Sequence, residues 1–337
     1  MLCFSAMSSD TCRIILGGDT MLGRGVNETI KRLGPAYPVS ALLPLLQQSD
    51  AVFVNLECAI TDKAITYQGP PKAFYFRADP VAIETLKWMA TRLVNLANNH
   101  ALDADVVGLK DTLSLLDQHQ IAHVGAGMDL TEASTPAILE IQGIRVGILG
   151  YCDHQPDFAA GPDKPGIRYV DVSDPVAIEQ IKQEINHLSS QVDATIISFH
   201  WMPNWVPSVP PFYRRLAHEL VEAGATIIWG HSPHHFLGVE WINTAVVLYS
   251  TGDLIDDYAI EPTYRNDLQL LFRCTLSREG VTAVEAHPLK LDFARTRPAT
   301  GPERKWITER FAIYCAEVGS KIVSDHWIRV LPSSSEV

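Results

Sequence analysis

Thr226-Ile-Ile-Trp-Gly-His-Ser-Pro-His-His-Phe236 sets an apolar run of strand character against His231, His234 and His235, delivered directly after Gly230. Neutral imidazole is the commonest transition-metal ligand, and a Gly-His-x-x-His turn at the mouth of a buried strand aims two ring nitrogens at one point. A His-rich surface loop would satisfy the same letters, so the company this stretch keeps decides its reading. Four other stretches repeat the design: Arg13-Ile-Ile-Leu-Gly-Gly ends in Asp19, and Ala51-Val-Phe-Val-Asn-Leu in Glu57. Arg92-Leu-Val-Asn-Leu-Ala ends in Asn98, Asn99 and His100, and Ala194-Thr-Ile-Ile-Ser-Phe in His200. Short runs rich in β-branched residues are what strands covered on both faces look like. Open α/β sheets carry their ligands beyond the carboxyl ends of the strands. Strands reaching one edge in this way would gather Asp19, Glu57, Asn99, His200, His231 and His234 into a single cation-holding cluster.

Composition sets the frame around that edge. The 337-residue chain is 47% hydrophobic and 20% charged, enough apolar mass for a sizeable core. Its formal charge of −12 argues against nucleic acid and anionic lipid as main partners, since both require a basic stripe. A cation-filled cleft still attracts anions on an acidic protein, so the expected substrate is an anionic small molecule or polymer. Six scattered cysteines without a C-x-x-C pair read as buried thiols in a reduced, cytoplasmic protein. No apolar run approaches the roughly 18 residues of a membrane span, and residues 1–11 make a poor signal peptide. With no linker, repeat or low-complexity segment, the chain reads as a single domain over 12–325, with 1–11 and 331–337 as flexible termini.

Between the strands, the spacing predicts helices from residue 27 and over 37–48, 80–90, 106–119, 174–190 and 211–222, with 306–323 as a closing helix. Gln142-Gly143 predicts a hairpin turn. The loop over 151–166, with Asp153, His154 and Asp157, reads as exposed.

Two carboxylates, an amide oxygen and three imidazoles exceed what one four-coordinate ion takes. They suit two divalent ions sharing a carboxylate, and the mixed nitrogen and oxygen donors fit Mn, Zn or Fe. Such a pair activates water and clamps an oxygen anion, which points to metal-assisted hydrolysis or transfer at a phosphoryl or carbonyl centre. Serine-triad chemistry is a poor fit, because no G-x-S-x-G elbow is present. His100 has the chemistry of a general acid for the leaving group, and Arg24, close to Asp19, that of an anion clamp. Asp19 could equally cap a helix. Arg77, Trp201 and Asp253 are the candidate substrate contacts, with Lys72 behind them. Trp201 and Trp205 would form a wall, while Asp253, Asp256 and Asp257 are also suited to fixing histidine tautomers.

Read together, Gly17-Gly-Asp19-Thr-Met-Leu-Gly-Arg24, Asn55-Leu-Glu57, Leu96-Ala-Asn-Asn-His100-Ala-Leu-Asp103, Phe199-His200-Trp201, Gly230-His231-Ser-Pro-His234 and Tyr249-Ser-Thr-Gly252-Asp253 resemble the CapA (PgsA-like) poly-γ-glutamate capsule biosynthesis family. That family is similar to calcineurin-like metallophosphatases. The resemblance implies an α/β, metallophosphatase-like sandwich of two mixed β-sheets flanked by helices on both sides, with two metals at the strand ends. It puts Asp19, Glu57, Asn99, His200, His231 and His234 on ligand positions and His100 against the transferring phosphoryl group. The sequence departs from the pattern at Met21, where a histidine is usual, and at Met202-Pro203-Asn204 and Gly252-Asp253-Leu254 on the rim. The function implied is a metal-dependent hydrolase of a phosphoester or a γ-glutamyl amide. The alternative is a non-catalytic component that binds an anionic polymer or a capsule-synthase partner through the same cleft.

Overall fold

The Thr11–Thr20 strand is buried at nearly every position, because it lies inside a sheet that is covered on both faces. This is a computed structural model, and it describes residues 11–333. Side chains along its strands part company by period two. Ile14, Leu16, Phe53 and Leu93 join one core, while Ile15, Val52, Val54 and Val94 join another. The first core also holds Val146, Ile148, Ile196 and Ile228 of a second sheet. The second takes in Val26, Ile30, Leu86, Leu109 and Leu116 from the helices Arg24–Leu33, Ile83–Trp88 and Asp105–Gln118.

The larger sheet runs Ser320–Val323, Ile328–Pro332, Gly280–Asp292, Leu268–Ser277, Thr11–Thr20, Ala51–Leu56, Thr91–Asn95, Ala122–Val124. Its pairs are parallel from Thr11–Thr20 to Ala122–Val124 and antiparallel on the other side, and Asp253–Ile255 adds a parallel partner to Thr11–Thr20. The smaller sheet runs Val239–Ile242, Ala245–Leu248, Ile227–His231, Ala194–His200, Ile144–Cys152, Ala137–Ile141, with parallel pairs in its middle. Ile181, Ile185, Leu216 and Leu220 of the helices Pro175–Ser189 and Pro211–Glu222 complete the core on its side. Two mixed sheets with helices on both outer sides form the metallophosphatase-like sandwich expected from the sequence.

Register positions the site. Asp19 stands opposite both Asn55 and Asp253, and His200 opposite His231, so the parallel strands of both sheets end at one rim. Gly18 makes the first of these approaches feasible: a Cβ there would lie 1.9 Å from the Gly252 carbonyl oxygen, so only hydrogen fits. The sheets are tied one residue deeper, where the Trp229 indole N–H donates to the Gly17 carbonyl at 3.0 Å.

Four expectations need correction. The helix predicted over 37–48 is the single turn Leu43–Leu46, since Pro44 can occupy only the first turn of a helix. The closing helix spans Gly301–Glu317, entered through a Thr300–Glu303 capping box, and Gly319 at φ +85° turns the chain out of it. The chain then forms a hairpin, Ser320–Val323 with Ile328–Pro332, which carries regular structure past residue 325 and into the predicted loose tail. Its signal was the short alternation Ile328, Val330 inward and Arg329 outward. Thr11, assigned to a flexible terminus, begins the first strand; residues 1–10 and 334–337 lie outside the described residues. Among the described residues the five cysteines are free and buried, and no helix is long and apolar enough to cross a membrane.

Candidate metal centre

Asp19 belongs to two groups of potential ligands at once. One is Asp19, His200 and His231; the other is Asp19, Glu57, His234 and Asp253, and within each the donor atoms lie within 4.8 Å of one another. Asp19, Glu57, His200, His231 and His234, all expected as ligands, are therefore brought together from four separate stretches. Asp253, expected as a substrate contact, enters the ligand cluster itself. Glu57 also reaches the first group, with Oε1 3.9 Å from His200 Nε2. Both Glu57 oxygens and Asp253 Oδ2, within the cluster, are buried with no hydrogen-bond partner, and so is Asn99 Oδ1, in the turn that carries His100. A buried acceptor left unpaired costs about 1–3 kcal/mol, more if charged. Several at one spot fit a cation, and the oxygen and imidazole donor set suits Mn, Zn or Fe.

The donors are held by partners of their own. Asn55 donates to Asp19 Oδ1 at 2.8 Å, while its own Oδ1 accepts from Asn95 (2.8 Å) and Asn98 (3.1 Å). The Ser232 amide donates to Asp19 Oδ2 at 3.2 Å. His231 Nε2 pairs with Ser198 Oγ at 2.8 Å, which leaves Nδ1 facing His200 Nδ1 at 2.9 Å and Asp19 Oδ1 at 3.8 Å. His234 Nδ1 sits 2.9 Å from Asp253 Oδ1 and 3.5 Å from Asp19 Oδ2. The turn that presents it is strained: Ser232 has φ +106° and His234 φ +60°. Such backbone is kept where the surroundings over-determine it, commonly at functional sites.

Electrostatics follow from burial. Desolvation, reinforced by the Asp19 charge, pushes Glu57 well above its ordinary value. Burial lowers His231 to about 3, and burial with the neighbouring His231 holds His200 well below 6.5. Both rings are thus neutral, the form that binds metal. Burial opposes a charge on His234, but Asp253, Asp19 and Glu57 outweigh it and raise that ring well above 6.5. Tyr258, edge-on to His234 with ring centroids 5.2 Å apart, is pushed up by burial and by Glu57, so it stays a neutral phenol.

His100 stands beside the cluster. Its Nδ1 pairs with Asp103 Oδ2 at 2.5 Å, its ring stacks on Phe76 at 3.9 Å, and its Nε2 lies 3.9 Å from Glu57 Oε1. Burial lowers it to about 4 despite Asp103. Lys72 bonds Asp103 and the Asn99 carbonyl, bracing this corner. Arg24 lies on the rim, its guanidinium 5.6 Å from the Phe74 and Phe76 rings and 3.5 Å from Asp257.

Two of the expected substrate contacts point elsewhere. Arg77 spends its guanidinium on the Thr61 and Lys63 carbonyls and Asp79. Trp201 is wholly buried, donating to the Tyr249 carbonyl at 2.9 Å among Phe199, Tyr213 and Tyr249. Since His200 faces the rim, strand alternation turns its neighbour into the core. Of the two tryptophans expected as a wall, Trp205 is the one beside the cluster, 5.9 Å from His234 and 5.8 Å from Tyr264. Met21 turns its sulfur back onto the Gly23 amide at 3.1 Å. His154, read as part of an exposed loop, is clamped between Asp153 and the Met202 carbonyl. The sequence reading missed Asn55 and Ser198, although each lies two residues before a candidate ligand on the same strand face.

Residues 13–258 match the family described as bacterial capsule synthesis protein PGA_cap. A "Probable polyglutamine synthesis accessory protein" of Mycobacterium tuberculosis is 26% identical over 98% of both chains. The "Capsule biosynthesis protein CapA" of Bacillus anthracis is 28% identical over 84% of this chain and 68% of its own. For the "PGA biosynthesis protein CapA" of Bacillus subtilis the figures are 28%, 86% and 74%. A hypothetical protein of Thermus thermophilus, known from a crystal structure, shares the fold at a TM-score of 0.51 and 13% identity, over 82% of this chain and 99% of its own. Matched over most of its length, this chain belongs to the bacterial capsule synthesis protein PGA_cap family.

Proposed function

We propose that the protein serves poly-glutamate capsule synthesis as a metal-dependent hydrolase, opening a phosphoester or a γ-glutamyl amide at the cluster around Asp19. The observation that carries this reading is Glu57, a fully buried carboxyl with both oxygens unpaired, 3.9 Å from the neutral rings of His100 and His200. Two divalent ions bound there, Mn, Zn or Fe, would supply an activated water and stabilise developing negative charge. Asp19, Glu57, Asn99, His200, His231, His234 and Asp253 would hold them, with Asn55 and Ser198 fixing the orientation of two of these donors. His100 presents Nε2 to the reacting group, takes up a proton there and returns it to the leaving group. Asp103 at Nδ1 stabilises the imidazolium formed in between. Arg24 meets the anionic part of the substrate at the rim, and Trp205 shields one side. The names of the relatives in capsule, PGA and polyglutamine synthesis support a polymer of the capsule, or a precursor of it, as substrate.

The test is metal content and turnover of the full chain on p-nitrophenyl phosphate and on poly-γ-glutamate, with Mn or Zn. Turnover that needs metal and disappears in His231→Ala is the expected result. No turnover of either substrate with metal bound would refute the hydrolase and leave a binding component.

A further inference from the structure

We infer that the Tyr258 phenol donates a hydrogen bond to an oxygen anion of the ligand held at the metal cluster. The place is otherwise lined with acceptors: both Glu57 oxygens, Asp253 Oδ2 and Asp256 Oδ2 are buried and unpartnered, and Tyr258 brings a hydroxyl in the same condition. Buried hydroxyls in folded proteins nearly always find a partner, so one left open beside a ligand site is placed for the ligand. Its position is fixed from two sides. The ring stands edge-on to His234, and it stacks on Phe76 at 5.7 Å, the ring that also carries His100. Asp256 Oδ1 accepts from the Tyr258 amide at 3.1 Å and anchors the backbone. Tyr258 therefore sits between a ligand residue and the proton-transfer residue. A donor there has no use for a cation; it suits a phosphoryl oxygen or the oxyanion formed at a carbonyl, worth most where water is excluded.

This inference rests on the proposed metal site, and Tyr258→Phe tests it separately because only the hydroxyl is removed. Inorganic phosphate is titrated calorimetrically into the Mn-loaded full chain, and poly-γ-glutamate in a second arm. The variant should keep its Mn affinity within about twofold and lose roughly tenfold or more in affinity for one of the two anions, as for a hydrogen bond to a charged group. The anion affected identifies the source of the oxygen. Without metal the variant should melt no lower than the wild type, because no bond exists there to break. Unchanged affinity for both anions with Mn bound, or a lowered melting point of the metal-free variant, would overturn the inference alone. A wild type that takes up no Mn, or binds neither anion once loaded, would also overturn it. Weakened anion binding in a protein that hydrolyses nothing would uphold Tyr258 and remove the hydrolase.

Discussion

Replacing Glu57 with glutamine should stabilise the metal-free protein and weaken the metal-loaded one. The wild-type carboxyl is wholly buried with neither oxygen paired, and burial and Asp19 raise its pKa well above 4.5. The folded, metal-free chain thus keeps a proton that the unfolded chain releases. Stability is then full below pH 4.5 and falls as pH rises from there toward the raised folded value, by about 1.4 kcal/mol per pH unit for one proton. Glutamine has no proton to lose, so metal-free Glu57→Gln should show a slope shallower by about that amount and stand above the wild type near neutrality. Metal reverses the order. At about a thousand times the dissociation constant a ligand adds about 4 kcal/mol to stability, and the variant, short of a charged donor, should gain less. The assay is urea unfolding of chelator-treated and Mn-saturated protein at steps from about pH 5 to about pH 8. A variant less stable than the wild type without metal, or gaining as much from Mn, would show that the protein itself satisfies this carboxylate, and the cation argument would fall.

Ser198→Ala removes the partner of His231 Nε2 and should cut Mn affinity about 10- to 100-fold, read by direct titration. His100→Asn should lower turnover by roughly 10²- to 10⁴-fold while the metal content stays constant; elemental analysis beside kinetics separates the two. Trp201→Ala should destabilise by about 3–5 kcal/mol in urea, because that ring is core, whereas Trp205→Ala should chiefly raise KM for the substrate.

The strand ends were legible because a metal-binding type of side chain following a β-branched run needs only local information. Asp19, Glu57, His200, His231 and His234 could be gathered on the rule that parallel strands present their carboxyl ends together, and the cluster bears that out. The same alternation that turns His200 toward the cluster turns Trp201 into the core, so that error was avoidable from sequence. Asp253 was not so readable. Its place in the cluster depends on a short strand pairing alongside Thr11–Thr20 across most of the chain, and nothing local announces that register. Arg24 and Tyr258 take their settings from loops that meet only after folding, through Asp257, Phe74 and Phe76. The terminal hairpin was hidden because its strands are only four and five residues long.

Asp19, Glu57 and Asp253 arrive from one sheet and His200 and His231 from the other, with the Trp229 indole bolted to Gly17 just behind. A cation seated among them is a clasp across the seam of the sandwich. How tightly the two halves grip one another and how tightly the ion is gripped are then a single quantity, measured from opposite ends. Damage deep in the seam, far from any ligand, should make itself felt first as a metal that slips out.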